Sequence, residues 1–187
     1  MLRGWISKYF FDLLKLLASQ VGDEVSLNEL ATQVRLDVKT VGRYLDILEK
    51  AFVIKRVGGF NRNLRKEISG KGKYYFYDNG IRNAVISQFN NLKDRDDIGA
   101  LFENFVVMER SKKNSYEMIS ETSYFWRTYD GQEIDLVEEK NGTFYGFEIK
   151  WSPKSKIKKP KDWFGSYKNA KYQVISKENY LDFIGVK

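Results

Sequence analysis

Residues 133–150 read EIDLVEEKNGTFYGFEIK, with apolar and charged residues alternating on both sides of Asn141-Gly142. Asn-Gly between two such runs is the strongest short-range signal for a β-hairpin with a two-residue turn. With this turn, Lys140 pairs with Thr143, and the two strands extend to both ends of the stretch. The sequence therefore predicts one long hairpin in the second half of the chain.

The register of this hairpin brings four charged side chains together. Counting outward from the turn pairs Asp135 with Glu148 and Glu133 with Lys150. Because strand residues two apart share a face, we expect all four on one face. The opposite face is expected to carry the apolar residues Ile134, Leu136, Phe147 and Ile149.

The facing carboxylates of Asp135 and Glu148 repel each other, so they need a cation between them. Mg²⁺ or Mn²⁺ would supply that charge, and Lys150 beside the ion could orient or deprotonate a water or stabilise charge on a phosphate. The same residues fit a simpler alternative, a surface hairpin in which Glu133 pairs with Lys150 and Asp135 with another lysine. The residues alone leave both interpretations open.

The spacing of Asp135 and Glu148-x-Lys150 resembles the D…(D/E)xK signature of the PD-(D/E)xK nuclease superfamily. In that family an acidic residue on the first core helix commonly joins the metal-site carboxylates, and Glu103 occupies the matching place. The resemblance therefore implies two sets of site residues. The catalytic set is Asp135, Glu148, Lys150 and Glu103. The metal-binding set is Asp135, Glu148 and Glu103.

The order of predicted elements in residues 91–187 is also that of the nuclease fold. It is helix, three strands, helix, strand, which implies a restriction-endonuclease-like domain with a central mixed sheet. The expected elements are a helix over 98–112, a strand over 124–129, the hairpin, a helix over 163–169 and a strand over 172–175.

Residues 1–90 are expected to form a winged helix-turn-helix domain, which makes the whole chain α+β. A helix over residues 5–20 precedes a capping box of Ser26 and Glu29, which predicts a second helix. Asp37 is the expected N-cap of a third helix. The remaining elements predicted here are a strand over 52–57, a turn at Gly58-Gly59, a strand over 74–77 and a helix over 81–89.

A DNA-binding winged helix reads base edges with the start of its last helix and contacts phosphate with its wing. The residues expected at bases are Lys39, Thr40 and Arg43. Those expected at phosphate are Arg62, Arg65 and Lys66. Winged helices also serve protein contacts, so a protein-interaction role stays open.

The composition restricts the partners and the kinds of catalysis that we expect for this chain. The 187 residues carry a formal net charge of +7, which favours an acidic partner such as DNA. The chain contains neither cysteine nor histidine, so disulfides, thiolate zinc sites and Ser-His or Cys-His catalysis are excluded. No apolar run is long enough to span a bilayer and no signal peptide is recognisable, so we expect a cytoplasmic protein without a membrane partner.

Five stretches together resemble the C-terminal half of a prokaryotic AAA-type ATPase family. They are Lys8-Tyr9-Phe10, Tyr44–Glu49, Tyr75–Asn83, Phe102–Val106 and Glu133–Val137. Members of that family carry an N-terminal P-loop ATPase domain, a winged helix and then a restriction-endonuclease-like domain of unknown function, DUF4143. The resemblance thus implies a P-loop ATPase domain as partner in the full-length protein. This chain itself has no G-x-x-x-x-G-K-S/T motif, so we expect it to bind no nucleotide.

Three functions follow as hypotheses. The first is a DNA-binding module with metal-dependent phosphodiester hydrolysis. The second is a catalytically inactive DNA-binding or regulatory module of the ATPase, in which lysines rather than a metal hold Asp135 and Glu148. The third is a protein-interaction scaffold.

Overall fold

The computed structural model describes residues 2–60, 70–119, 122–152 and 157–186, with side chains from Lys8 onward. The chain divides into two compact units. The first comprises the described residues of Met1–Arg56 and Lys71–Asp96, and the second those of Val57–Gly70 and Asp97–Lys187. The boundary predicted from the sequence lies after residue 90 instead. The division after Arg56 is not predicted from the sequence.

The first unit is mainly helical. Its described elements are α1 (Leu2–Ser19), β1 (Glu24–Val25), α2 (Leu27–Val34), α3 (Val38–Lys50), the start of β2 (Ile54–Gly59), β3 (Gly72–Phe76), α4 (Asn79–Val85) and a 3-10 turn (Leu92–Asp94). Strand β1 pairs antiparallel with β3, and β3 neighbours β2. The short strand β1 is absent from the sequence prediction.

Side-chain caps fix the helix starts of the first unit. Ser26 and Glu29 form the reciprocal capping box, with hydrogen bonds of 3.2 and 2.6 Å. The backbone N–H of Thr40 donates to Oδ1 of Asp37 at 2.9 Å, and Asp78 caps α4 in the same way. The predicted starts of α2 and α3 are confirmed, because each cap satisfies backbone donors that the first helical turn leaves unpaired.

The stretch Tyr75–Asn83 holds the first unit together. Arg82 is buried, and its Nε donates to the carbonyl oxygen of Ala18 near the end of α1 at 2.8 Å. The side-chain oxygen of Asn83 accepts from Nη2 of Arg95 at 3.0 Å. A buried guanidinium needs such acceptors, so this stretch has a structural role in the first unit.

The second unit is built on a mixed sheet. Its described elements are the end of β2, α5 (Ile98–Tyr116), β4 (Ser123–Arg127), β5 (Glu133–Lys140), β6 (Thr143–Ile149), α6 (Lys161–Ser166), β7 (Ala170–Ile175) and α7 (Tyr180–Ile184). The strand order is β2-β4-β5-β6-β7, with β4, β5 and β6 antiparallel. Strands β2 and β7 run parallel to β4 and β6, respectively. The prediction of an α+β chain with a mixed sheet is confirmed.

The predicted turn at Gly58-Gly59 is wrong, because both residues lie in β2. They pair with Tyr124 and Phe125 of β4. A Cβ atom on Gly59 would lie 3.4 Å from the ring of Phe125. The glycine therefore marks a close approach of a ring to the strand, which is another common use of glycine within a sheet.

The predicted hairpin is confirmed. Regular pairing runs from Lys140 opposite Thr143 to Leu136 opposite Phe147. Asn141 and Gly142 both have positive φ, 51° and 73°, as the expected two-residue turn requires.

The register of β5 against β4 changes part-way along the strand. Trp126 pairs with Ile134, but Tyr124 pairs with Val137, so β5 carries one residue more than β4 over this interval. Such a β-bulge reverses the alternation of faces. Ile134 accordingly lies in the cluster of Trp126, Val137, Trp163 and Tyr167. Its predicted place on the face of Leu136, Phe147 and Ile149 is therefore wrong.

We expect Gly142→Ala to lower the thermal midpoint, because alanine is strained at a φ of +73°. The cost should be about 1 kcal/mol or more. Gly165→Ala is the matched control, since Gly165 lies in α6 with open space around its Cβ position. Thermal unfolding followed by circular dichroism measures both, and equal midpoints for the two variants would contradict the assignment of the turn.

Candidate functional site

Asp135, Glu148 and Lys150 converge in the second unit. Nζ of Lys150 lies 2.7 Å from Oε1 of Glu148 and 3.6 Å from Oδ2 of Asp135. The residues Asp135 and Glu148 are only 1% and 7% exposed. The surface hairpin considered from the sequence does not match this burial, although Lys150 does supply the cation that the two carboxylates need.

The bulge in β5 sets the direction of Asp135. Regular pairing between β5 and β6 stops at Leu136, and the backbone N–H of Ile149 donates to Oδ2 of Asp135 at 2.8 Å. On the other side, β6 pairs with β7 so that Glu148 lies opposite Val174. Asp135 is therefore held by a backbone N–H donor, whereas the Glu148 carboxylate forms an ion pair with Lys150.

The charged groups of this cluster shift the pKa values of both Glu148 and Lys150. Burial raises the pKa of Glu148, the charge of Asp135 raises it further, and Lys150 opposes the rise only in part. Burial acts to lower the pKa of Lys150, but the charges of Asp135, Glu148 and Glu103 outweigh burial and raise it. Without an ion, Lys150 is thus a protonated donor that can orient a water or stabilise negative charge, and the alternative that it deprotonates a water stays a prediction.

Glu103 lies on α5 and is half-buried. Its charge acts on Lys150, which puts it near the cluster. Within the described ranges, no group of three or more Asp, Glu, His or Cys side chains is arranged to hold a metal ion. The donors that this cluster offers are the carboxylates of Asp135 and Glu148, which suits Mg²⁺ bound through one or two carboxylates with water and phosphate as the other ligands.

Tyr172 on β7 is a polar neighbour of the cluster that is not predicted from the sequence. Burial raises the pKa of its hydroxyl, and the charges of Glu148 and Asp135 add to the rise. The hydroxyl oxygen is buried and has no hydrogen-bond partner. The predicted β7 begins at this residue, but the strand begins at Ala170, and only the strand register reveals the neighbourhood of Tyr172 and Glu148.

A second buried charge cluster ties α5 to β5. Arg110 forms a bidentate salt bridge with Glu138, with bonds of 2.9 and 2.7 Å, and donates to the carbonyl oxygen of Phe183 at 3.0 Å. Asn114 donates to the same carboxylate at 2.9 Å. In the sequence, Glu138 and Glu139 look like an exposed pair near the turn, so the long-range partner on α5 could not be anticipated.

The residues predicted to contact DNA bases lie at the start of α3. Lys39 and Arg43 are exposed, and Thr40 is half-buried with its N–H donated to Asp37. The residues predicted at phosphate lie outside the described residues. They are Arg62, Arg65 and Lys66.

A groove of about 710 Å³ lies elsewhere in the first unit, lined by residues of α1, α2 and α4 and by neighbouring residues. Lys8, Lys15 and Arg35 supply its positive charge and Asp12 its negative charge. It contains none of the residues that the sequence predicts for catalysis, metal binding or DNA binding.

Two domain families match this chain, one in its first half and one in its second half. Residues 98–183 match a domain of unknown function, DUF4143. Residues 7–94 match a second domain of unknown function, DUF8612. Both descriptions name a domain without stating an activity.

The chain is also 31% identical over 137 residues to uncharacterised proteins of Mycobacterium bovis and Mycobacterium tuberculosis. The match covers 72% of this chain but only 30% of each relative, so the chain spans less than a third of the curated relatives. No solved structure matches the chain. Among the helices that the structure describes, none combines the length and apolar character needed to cross a membrane.

We expect Arg110→Ala to destabilise the protein strongly, because it leaves the buried carboxylate of Glu138 without its counterion. Breaking such a pair costs roughly 3–5 kcal/mol. The control is Lys50→Ala, which breaks a pair with Asp46 whose side chains are 75% and 58% exposed, at a cost of about 0.5 kcal/mol or less. Urea unfolding distinguishes the two, and equally small losses would show that the Arg110 pair does not hold α5 to β5.

We expect Glu148→Gln to stabilise the protein at pH 7. The raised pKa of Glu148 means that its proton is held more tightly in the folded than in the unfolded state, so the ionised side chain costs stability above the folded pKa. A gain of about 1 kcal/mol would raise the midpoint by roughly 2–4 °C.

The gap between Glu148→Gln and the unaltered protein should close as the pH falls through the raised pKa. Thermal unfolding from pH 7 to pH 4 measures it. Glu139→Gln, at an exposed position of the same hairpin, is the control and should give no comparable gain. A difference in midpoint that widens toward acid pH would show instead that the ionised form of Glu148 stabilises the folded protein.

Proposed function

We propose that this chain binds DNA and that its DUF4143 domain hydrolyses phosphodiester bonds with the help of Mg²⁺ or Mn²⁺. The observation that carries the proposal is the convergence of Asp135, Glu148 and Lys150 in a mostly buried cluster. Burying two carboxylates against one ammonium disfavours the ionised form of Glu148. Groups with perturbed pKa values of this kind concentrate at functional sites.

Each residue has a role that its surroundings support. Asp135 and Glu148 would hold the ion, and Glu103 would contribute directly or through a water. When bound, the ion would neutralise charge on the phosphate and polarise it. Lys150 remains protonated and donates to a phosphate oxygen or to the attacking water, where it stabilises the negative charge that develops.

The topology of the second unit supports a restriction-endonuclease-like fold. The order α5, β4, β5, β6, α6, β7 is the order that the PD-(D/E)xK resemblance implies. The antiparallel β4–β5–β6 strands and the parallel addition of β7 to β6 fit a central mixed sheet. The proposal is supported by Asp135 lying on β5, Glu148 on β6, Lys150 directly after β6, and Glu103 on α5.

The first unit supports DNA binding through a winged helix. Its order of α1, β1, α2, α3, β2 and β3 contains the helix, turn and helix that such a domain requires. Lys39 and Arg43 are exposed at the start of α3, where a recognition helix meets base edges. The net charge of +7 would add attraction to phosphate.

We also propose that a P-loop ATPase domain precedes this region in the full-length protein. The curated relatives are about three times longer than their match to this chain. The resemblance to the AAA-type ATPase family supports an ATPase domain as the content of that additional length. Nucleotide binding would then belong to the ATPase domain.

A catalytically inactive DNA-binding or regulatory module is the second candidate. The observation that favours it is the salt bridge itself, because Lys150 already compensates Asp135 and Glu148 in part without a metal ion. Under this hypothesis the fold is retained for binding and the cluster is structural.

Cleavage of plasmid and short duplex DNA with Mn²⁺ or Mg²⁺ tests the first candidate. We expect cleavage that stops with EDTA and falls roughly 100-fold or more in Lys150→Ala, the usual cost of losing one donor to a developing charge. Lys158→Ala is the matched control, since Lys158 is an exposed lysine eight residues after Lys150 and its loss should leave cleavage nearly unchanged.

The outcomes separate the candidates. DNA binding with a steep salt dependence but no cleavage under any ion condition would favour the inactive module. Cleavage that persists in Lys150→Ala would show that a different site, or a contaminant, performs the reaction. Absence of both binding and cleavage would contradict both candidates and leave protein interaction as the remaining role.

A further inference from the structure

The hydroxyl of Tyr172 is an anomaly beside the candidate site. Its ring packs against the hydrophobic cluster of the second unit and contacts Phe164 edge-on, with centroids 6.4 Å apart. Its hydroxyl oxygen is nevertheless buried without a hydrogen-bond partner. A phenylalanine would pack in the same way without leaving a buried donor unpaired, which costs stability.

The register of β6 and β7 places Tyr172 on the same face as Glu148. Tyr172 lies opposite Gly146, and Glu148 follows two residues later on β6. Residues two apart on a strand point to the same face, and directly paired residues do so as well. Gly146 has no side chain of its own at this position, where Ile134 packs instead, at 2.9 Å from where a Cβ would lie. The charge of Glu148 acts on the hydroxyl of Tyr172.

The two carboxylates of the site differ in how they are held. Asp135 accepts a hydrogen bond from the backbone of Ile149 at 2.8 Å, and that bond does not depend on Lys150. Glu148 is held through Lys150 at 2.7 Å. A divalent cation and the ammonium of Lys150 repel each other and compete for the same carboxylates. Glu148 therefore loses its holding partner when an ion takes the place of Lys150.

We propose that Tyr172 is a positioning residue that takes over Glu148 when a divalent cation is bound. Its hydroxyl donates to the Glu148 carboxylate and holds it toward the ion, while Lys150 is released to face the phosphate. Carboxylates that ligate metals are usually oriented by a further hydrogen bond of this kind. The inference rests on the proposed function, since it requires that Asp135 and Glu148 bind the ion.

The test is a titration with Mn²⁺ alone, followed by isothermal calorimetry and by thermal unfolding. We expect Tyr172→Phe to bind Mn²⁺ about 10-fold more weakly or worse, and to lose much of the rise in midpoint that Mn²⁺ causes. Without the ion, its midpoint should equal or exceed that of the unaltered protein, because the removed hydroxyl has no partner there. A purely structural role for the hydroxyl would give the opposite result in the ion-free protein.

Tyr145→Phe is the matched control. Tyr145 precedes Gly146 on β6 and therefore faces the other side of the sheet, where it stacks on Phe147. The same chemical change there should leave Mn²⁺ affinity unaltered.

Each other outcome has a definite meaning. If Tyr172→Phe binds Mn²⁺ as tightly as the unaltered protein, the inference is wrong while the proposed function stands. If the ion-free midpoint of Tyr172→Phe falls, the hydroxyl already has a partner and the inference is wrong. If the unaltered protein takes up no Mn²⁺ at all, the ion-dependent function is overturned and the role of Tyr172 with it.

Discussion

The candidate site depends on the single extra residue in β5. Between the pairs that Ile134 and Val137 make with β4, the strand gains one residue, and its alternation of faces reverses there. This local change lets Ile134 enter the hydrophobic cluster while the carboxylate of Asp135 reaches the backbone N–H of Ile149. A regular strand would keep Ile134 and Val137 on opposite faces, and the hydrophobic cluster would lose one of the two.

Among the described residues of the second unit, two buried carboxylate clusters differ in how their charge is compensated. Glu138 receives two hydrogen bonds from Arg110 and one from Asn114, so its charge is fully compensated. Asp135 and Glu148 both lie within 3.6 Å of the ammonium of Lys150. Burial raises the pKa of Glu148, the charge of Asp135 raises it further, and Lys150 offsets only part of the rise. A buried polar cluster whose hydrogen bonds are all formed makes a fold more rigid. A buried cluster whose negative charge is not fully compensated favours the addition of positive charge. The two clusters of one hairpin therefore differ physically, and only the cluster of Asp135 and Glu148 contains a carboxyl group with a raised pKa.

Local signals carried most of the correct sequence predictions. The turn at Asn141-Gly142 and the caps at Ser26 and Asp37 depend on a few neighbouring residues, and the structure confirms each. The errors fall where tertiary pairing decides the outcome. Gly58-Gly59 has the composition of a turn but lies in β2 because a strand distant in sequence pairs with it. The face of Ile134 depends on a bulge, the partner of Glu138 lies on α5, and the neighbour of Glu148 lies on β7, so none of the three could be read from a local pattern.

The clamp between Arg110 and Glu138 also bears on the site itself. Glu103 precedes Arg110 on α5 by seven residues, which is about two helical turns or roughly 10 Å. A helix fixed at Arg110 against β5 therefore has little freedom to slide or rotate at Glu103. Because Glu138 and Asp135 lie on the same strand, this clamp sets the distance of Glu103 from the cluster through two rigid elements. The position of Glu103, whose charge acts on Lys150, thus depends in part on packing two turns further along the helix.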